Sequence, residues 1–305
     1  MSYKPRPEDC AFVLAGLCSL TLSVVVGLPA AEWLVRHATY WVLLASIGAF
    51  FYSGYRVAAE RKAALGNWAQ SLYDGRYMVL ILLIVAAIYS LQPNSYKVVM
   101  DEPLLVASSR QMHLDKELYV PKSCYELGGA FYNFDGYVDK RPGFFPFLLS
   151  LLHDLTGYRS GQGFVLNALL VPALVLLTAT LCGRLWPDCG KWIGPLLLVT
   201  VPLVSLVANS SGYDFLNVVL LLSLLLLALQ FYEYPGTWTL SALLWASVLL
   251  AHTRYESALY LLPVLLIVAL RSFFLKRTFF HWTSCLMPFA LLPVVLLMRV
   301  IGGQE

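Results

Sequence analysis

The chain has 305 residues, 59% of them hydrophobic and 13% charged, with a mean hydropathy of +0.70. An ordinary soluble domain is roughly 25% charged, so this composition excludes a soluble protein and predicts an all-α polytopic membrane protein. The net charge of +3 comes without a basic stripe; nucleic acid is excluded as a partner, and the basic residues are read as topology signals.

In chain order, Lys4 and Arg6 precede an apolar run from 11 to 31, too long for a signal-peptide core and without a small-x-small cleavage site, so it reads as a retained anchor. Further apolar stretches near 39–58, 77–93, 163–183, 192–208, 213–231, 238–252, 256–272 and 282–301 bring the expected number of membrane helices to about nine, several punctuated by Pro172, Pro202 and Pro263. Five of the six cysteines lie in or beside these stretches and only Cys124 falls elsewhere, so neither a disulfide framework nor a zinc site is expected.

Short loops rich in Lys and Arg stay cytoplasmic. Arg56, Arg61, Lys62 and Arg76 surround one such loop, Arg184 and Lys191 another, and Arg271, Lys276 and Arg277 a third. Nine crossings from a cytoplasmic N-terminus put all three on one side. The long interval 94–162 and the turns Asn209–Asp214 and His252–Glu256 then fall on the exoplasmic side.

The long interval is the polar island of the sequence. Asp101 to Leu118 is expected to form a helix, and Gly143 to Leu155 an interfacial helix too short to span, with Arg141, His153, Asp154 and Arg159 at headgroup level. Between them, Tyr119 to Asp139 mixes Tyr125, Phe131, Tyr132, Phe134 and Tyr137 with Gly128, Gly129 and Gly136, read as an interfacial loop. There is no internal repeat or inverted symmetry, which disfavours a secondary transporter.

Asp101-Glu102 reads either as an acidic helix start suited to the dipole or as a functional pair; adjacent acids on a helix point about 100° apart, so one of them faces a given site. Asp139-Lys140-Arg141-Pro142 reads as a snorkelling anchor or as an anion site. Asp214 reads as a cap or a functional acid, and Arg254 and Glu256 as a mutual pair. Asn209-Ser210-Ser211 is a sequon lying too near the membrane for use.

Taken in order, an acidic pair after a membrane helix, a loop, then acidic-Lys-x-Pro leading an aromatic helix that ends in Thr156-Gly157 resembles the GT-C glycosyltransferases. Within them it is most similar to the protein O-mannosyltransferases and the bacterial lipid A aminoarabinose transferases. Tyr213-Asp214 and Thr253-Arg254-Tyr255, leading to Pro263, occupy the places of later family motifs. The resemblance covers roughly 77–301. It divides the chain into two extra N-terminal helices with a cytoplasmic loop (1–76) and a GT-C-like module (77–305) whose active site lies in the loop 94–162. Arg141 stands where the family has the first of two prolines and Arg254 where lysine is common, and relatives continue beyond the position of Glu305.

The resemblance implies inverting transfer of a sugar from a polyprenyl-phosphate donor to an exoplasmic acceptor (protein, lipid or glycan). Asp101 is then the base, Glu102 orients it or the acceptor, and Lys140, Arg141 and Arg254 hold the phosphate. Asp139 and Asp214 position those cations, with Tyr255 in support. No cofactor is required; a divalent metal is left open, with Asp101 and Asp139 as its ligands if present. The expected setting is a bacterial inner membrane with the site facing the periplasm, or a lumenal site in the endoplasmic reticulum of a eukaryote. The alternative is a degenerate GT-C-like scaffold with a partner in a membrane complex.

Overall fold

The computed structural model describes residues 6–60 and 75–303. Lys4, Arg61 and Lys62 lie outside the described residues, as do the side chains of Arg76, Cys124, Phe131 and Phe134. The chain is a polytopic helical membrane protein. Its helices are α1 (Pro7–Val25), α2 (Leu28–Glu60), α3 (Gly75–Leu91), α4 (Asp101–Leu114), α5 (Phe144–Thr156), α6 (Gln162–Leu185), α7 (Gly190–Thr200), α8 (Pro202–Ala208), α9 (Asp214–Glu233), α10 (Thr237–Ala251), α11 (Leu261–Leu275) and α12 (Met287–Gly302). Short 3-10 turns at Tyr255–Tyr260 and Trp282–Leu286 lead into the last two.

By length and composition, six helices among the described residues can cross a membrane, or seven if a bent pair is one span. This corrects the expected nine. The 192–208 stretch splits into α7 and α8, bent by 75°, because Pro202 opens α8 and its ring pushes Val201 out of the helical region to φ −93°, ψ 104°. The 238–252 stretch is α10, whose 15 residues rise only about 22 Å and whose Trp238 to Ala251 are all buried in protein. The 77–93 stretch, α3, contributes the shorter apolar helix Met78–Leu91. Residues 32–38, between the first two apolar stretches, form no loop. After Gly27, α2 starts at Leu28-Pro29, where proline costs nothing in a first turn, and runs 33 residues.

The interval Tyr119–Asp139 is also corrected. It is an antiparallel hairpin, β1 (Val120–Leu127) and β2 (Ala130–Tyr137), with Tyr125 opposite Tyr132 and Leu127 opposite Ala130. Gly128 and Gly129 close it at φ +60° and +79°, the two positive values a type I′ turn demands and other residues resist. The fold is therefore not purely helical.

A larger core joins α2, α5, α9, α10 and α12, and a smaller one joins α3, α6 and α8. α1 and α2, outside the region of resemblance, are part of the bundle: α2 packs on α10 and α12, and α1 on α12. Contacts sort the loops into two groups. At one end Leu118 N–H donates to Arg36 O, Phe144 N–H to His252 O, Ser95 N–H to Asn209 O and Arg299 to Val26 O. At the other, Arg6 and Asp9 meet Thr278, Arg56 lies over Trp238, Arg184 approaches Glu233 and Arg271 lies over Tyr232.

Candidate functional site

The polar end is built on α4 and α5, which lie side by side with matching directions. Asp101 meets Arg141 at their starts, and His113 (2.5 Å) and Lys116 (2.8 Å) meet Asp154 at their ends. The apolar face of α5 buries Phe144, Phe145, Phe147 and Leu149. Gly143 allows the entry: a Cβ there would meet Leu118 and Thr39 at 3.0 and 3.1 Å. His153, expected at headgroup level, is fully buried between Ser109 and Gln162. Burial, the largest influence on its imidazole, holds its pKa below the usual 6.5. The Lys116 and His113 contacts pull the Asp154 carboxyl below its ordinary value, against an opposing burial effect that is the largest single influence.

Asp101 and Glu102, neighbours on the first turn of α4, do different things. Glu102 is 2% exposed. Its Oε1 accepts from the backbone N–H groups of Lys97 (2.9 Å) and Val98 (3.0 Å), and its Oε2 from that of Ser211 (2.8 Å). It ties the α4 start to the Asn209–Asp214 turn. Asp101 turns the other way, its side chain 34% exposed, and accepts from Arg141.

Arg141 is buried and donates to both Asp101 and Asp139. Burial, the largest influence, would lower its pKa, and the two carboxylates overcome it and raise it. The guanidinium stands between the two acids expected to share a divalent ion and supplies the positive charge there. The residues present do not fit a metal in that place, and among the described residues no group of three or more His, Cys, Asp or Glu is arranged for one.

A second ion cluster starts three residues after the Glu102-anchored Ser211. Asp214, the first residue of α9, accepts from Arg254 at 2.7 Å, and Glu256 reaches the same guanidinium at 3.5 Å. Arg254 lies 5.5 Å above the Tyr213 ring. Its pKa is raised, burial being outweighed by Asp214, Tyr213 and Glu256. Lys140 is exposed and has no ion pair among the described residues, so it is a cation free to meet an external anion. Tyr255 is exposed.

The structure thus brings Asp101, Asp139 and Arg141 into one cluster, and Asp214 and Arg254 into a second, linked to the first through Glu102. Sequence reasoning missed Tyr213 as the ring beneath Arg254, and the Ser257 bond to Asn217 (2.7 Å) that joins the Arg254 turn to α9. It also missed the hairpin, whose signal was present: Gly128-Gly129 between two short runs, the second of them rich in aromatics. Asn209 of the sequon is fully buried and donates to Ile88 O and Ser205 O, so its amide is closed to modification in the folded chain.

No family model, no curated protein and no solved structure matches this chain.

Proposed function

We propose that the protein is a membrane glycosyltransferase that moves a sugar from a polyprenyl-phosphate donor to an exoplasmic acceptor, with inversion, and that the polar end of the bundle is its active site. The observation that carries this reading is the division of labour in the Asp101-Glu102 pair: one acid is sealed inside as a structural tie, and the other is left partly exposed beside the Arg141 guanidinium. In the proposed step the acceptor hydroxyl attacks the anomeric carbon as its proton passes to the Asp101 carboxylate. The bond to the phosphate oxygen breaks on the opposite face, and its electron pair leaves with the phosphate. Lys140 meets the departing phosphate as a point charge, and Arg254 offers a guanidinium fork. No metal is part of this step.

The test is transfer from a polyprenyl-phosphate sugar by the purified protein in nanodiscs. Wild type is expected to turn over and Asp101→Asn to be inactive while melting like wild type; turnover by Asp101→Asn at the wild-type rate overturns the assignment of the base. A second reading, a GT-C-like scaffold without turnover, is favoured by one feature: both arginines expected to hold phosphate are already engaged by carboxylates. Donor binding without transfer by wild type would select it.

A further inference from the structure

The opposite end of the bundle carries a guanidinium with no carboxylate partner among the described residues. Arg271 sits in the last turns of α11, and the span to which that helix belongs, Tyr255–Leu275, has 11% of its apolar window buried, the lowest share of the six. Lipid chains therefore cover most of it. The Arg271 guanidinium lies over the ring of Tyr232 on α9, 4.7 Å from its centroid, and its Nε is buried without a hydrogen-bond partner. Among the described residues no carboxylate forms an ion pair with it. The nearest acid in sequence to Tyr232 is Glu233, which Arg184 at the end of α6 approaches at 4.0 Å. An unpaired cation on a lipid-facing helix is costly unless a counter-ion comes from outside.

The surroundings define that ion. Phe273 and Phe274 are 77% and 71% exposed, and Tyr232 and Tyr234 57% and 58%, the aromatic dressing of a helix end at headgroup depth. Lys276 and Arg277 follow directly, so Arg184, Arg271, Lys276 and Arg277 stand against Glu233, while Lys191 and Asp188 offset each other. That excess of positive charge favours a headgroup with net negative charge and repels the cationic arm of a zwitterionic one.

We infer that the ends of α6, α9 and α11 form a binding site for the phosphate of an anionic phospholipid, with Arg271 as its main contact and Tyr232 as the platform that holds the guanidinium. Basic niches between helices at the headgroup level bind such lipids. The inference is independent of the chemistry proposed for the other end.

Native mass spectrometry of the full chain, titrated with phosphatidylglycerol or phosphatidylcholine of matched acyl chains, tests it. Wild type is expected to prefer phosphatidylglycerol. Arg271→Gln is expected to weaken that preference about fivefold, the worth of one basic residue near an anionic surface, Arg184→Gln to weaken it less, and Lys122→Gln on the hairpin to leave it unchanged. Inorganic phosphate is expected not to displace the lipid; displacement would mean a free-anion site and overturn the assignment. Equal binding of the two lipids by wild type overturns the inference without reference to any variant, and so does an Arg271→Gln protein that keeps the full preference.

Discussion

Glu102→Ala removes an acceptor shared by three backbone N–H groups in a place that water barely reaches. Each bond from a backbone donor to a buried carboxylate contributes about 1.5–3 kcal/mol net, and a donor left unpaired costs about 1–3 kcal/mol. Water entering the vacated volume recovers part of this, so the expected loss is about 3–5 kcal/mol. Glu102→Gln keeps one carbonyl oxygen for Lys97 and Val98 but turns an NH2 toward the Ser211 N–H, so its loss is expected to be smaller, about 1–3 kcal/mol. Denaturant unfolding in detergent reads the total. Amide exchange locates it: protection is expected to fall at 97–98 and at 211 and to hold in α10. If Glu102→Ala unfolds within about 0.5 kcal/mol of wild type and the three amides exchange unchanged, the reading of Glu102 as the tie between α4 and the Asn209–Asp214 turn is refuted.

Arg141→Ala leaves Asp101 and Asp139 together without their shared cation and is expected to cost about 3–5 kcal/mol; a double variant that also carries Asp139→Asn is expected to recover part of it, and unfolding midpoints check both. His153 has a folded-state pKa below its unfolded value of about 6.5. The unfolded chain therefore takes up a proton first as the pH drops, and the contribution of this residue to stability falls from pH 6.5 down to the folded pKa and is level above about 7.5. Melts at pH 7.5 and 5.5 are expected to differ less in His153→Gln than in wild type. Replacing Gly128-Gly129 by Ala-Ala puts two Cβ atoms at positive φ, and is expected to loosen the hairpin, read as faster exchange at 125–132 with little change in the melting of the bundle.

The membrane class was legible in the composition, and the loops expected on one side do meet at one end, because long apolar runs and basic turns are local signals. The number of spans was not. α10 is as apolar as a spanning helix but wholly surrounded by protein, and hydropathy does not distinguish burial in protein from burial in lipid. The bend at Pro202 and the tight turn at Gly128-Gly129 were both written in residue types; the first was absorbed into an apolar run, and the second was hidden by aromatics that suit a lipid surface as well as a strand. The pairing of Arg141 with Asp139 is local, but its pairing with Asp101, 40 residues away, depends on α4 and α5 running side by side, which no local pattern encodes. The 100° rule for neighbouring helical residues did anticipate that Asp101 and Glu102 face different ways, though not that Glu102 would be the sealed one.

The lipid that copurifies with the protein from its native membrane tests the central claim most directly. Its mass is predicted to be that of a polyprenyl-phosphate glycoside, retained by wild type and reduced in Lys140→Ala. Recovery of ordinary phospholipids alone, from a protein that also fails to bind an added polyprenyl-phosphate sugar, would contradict it.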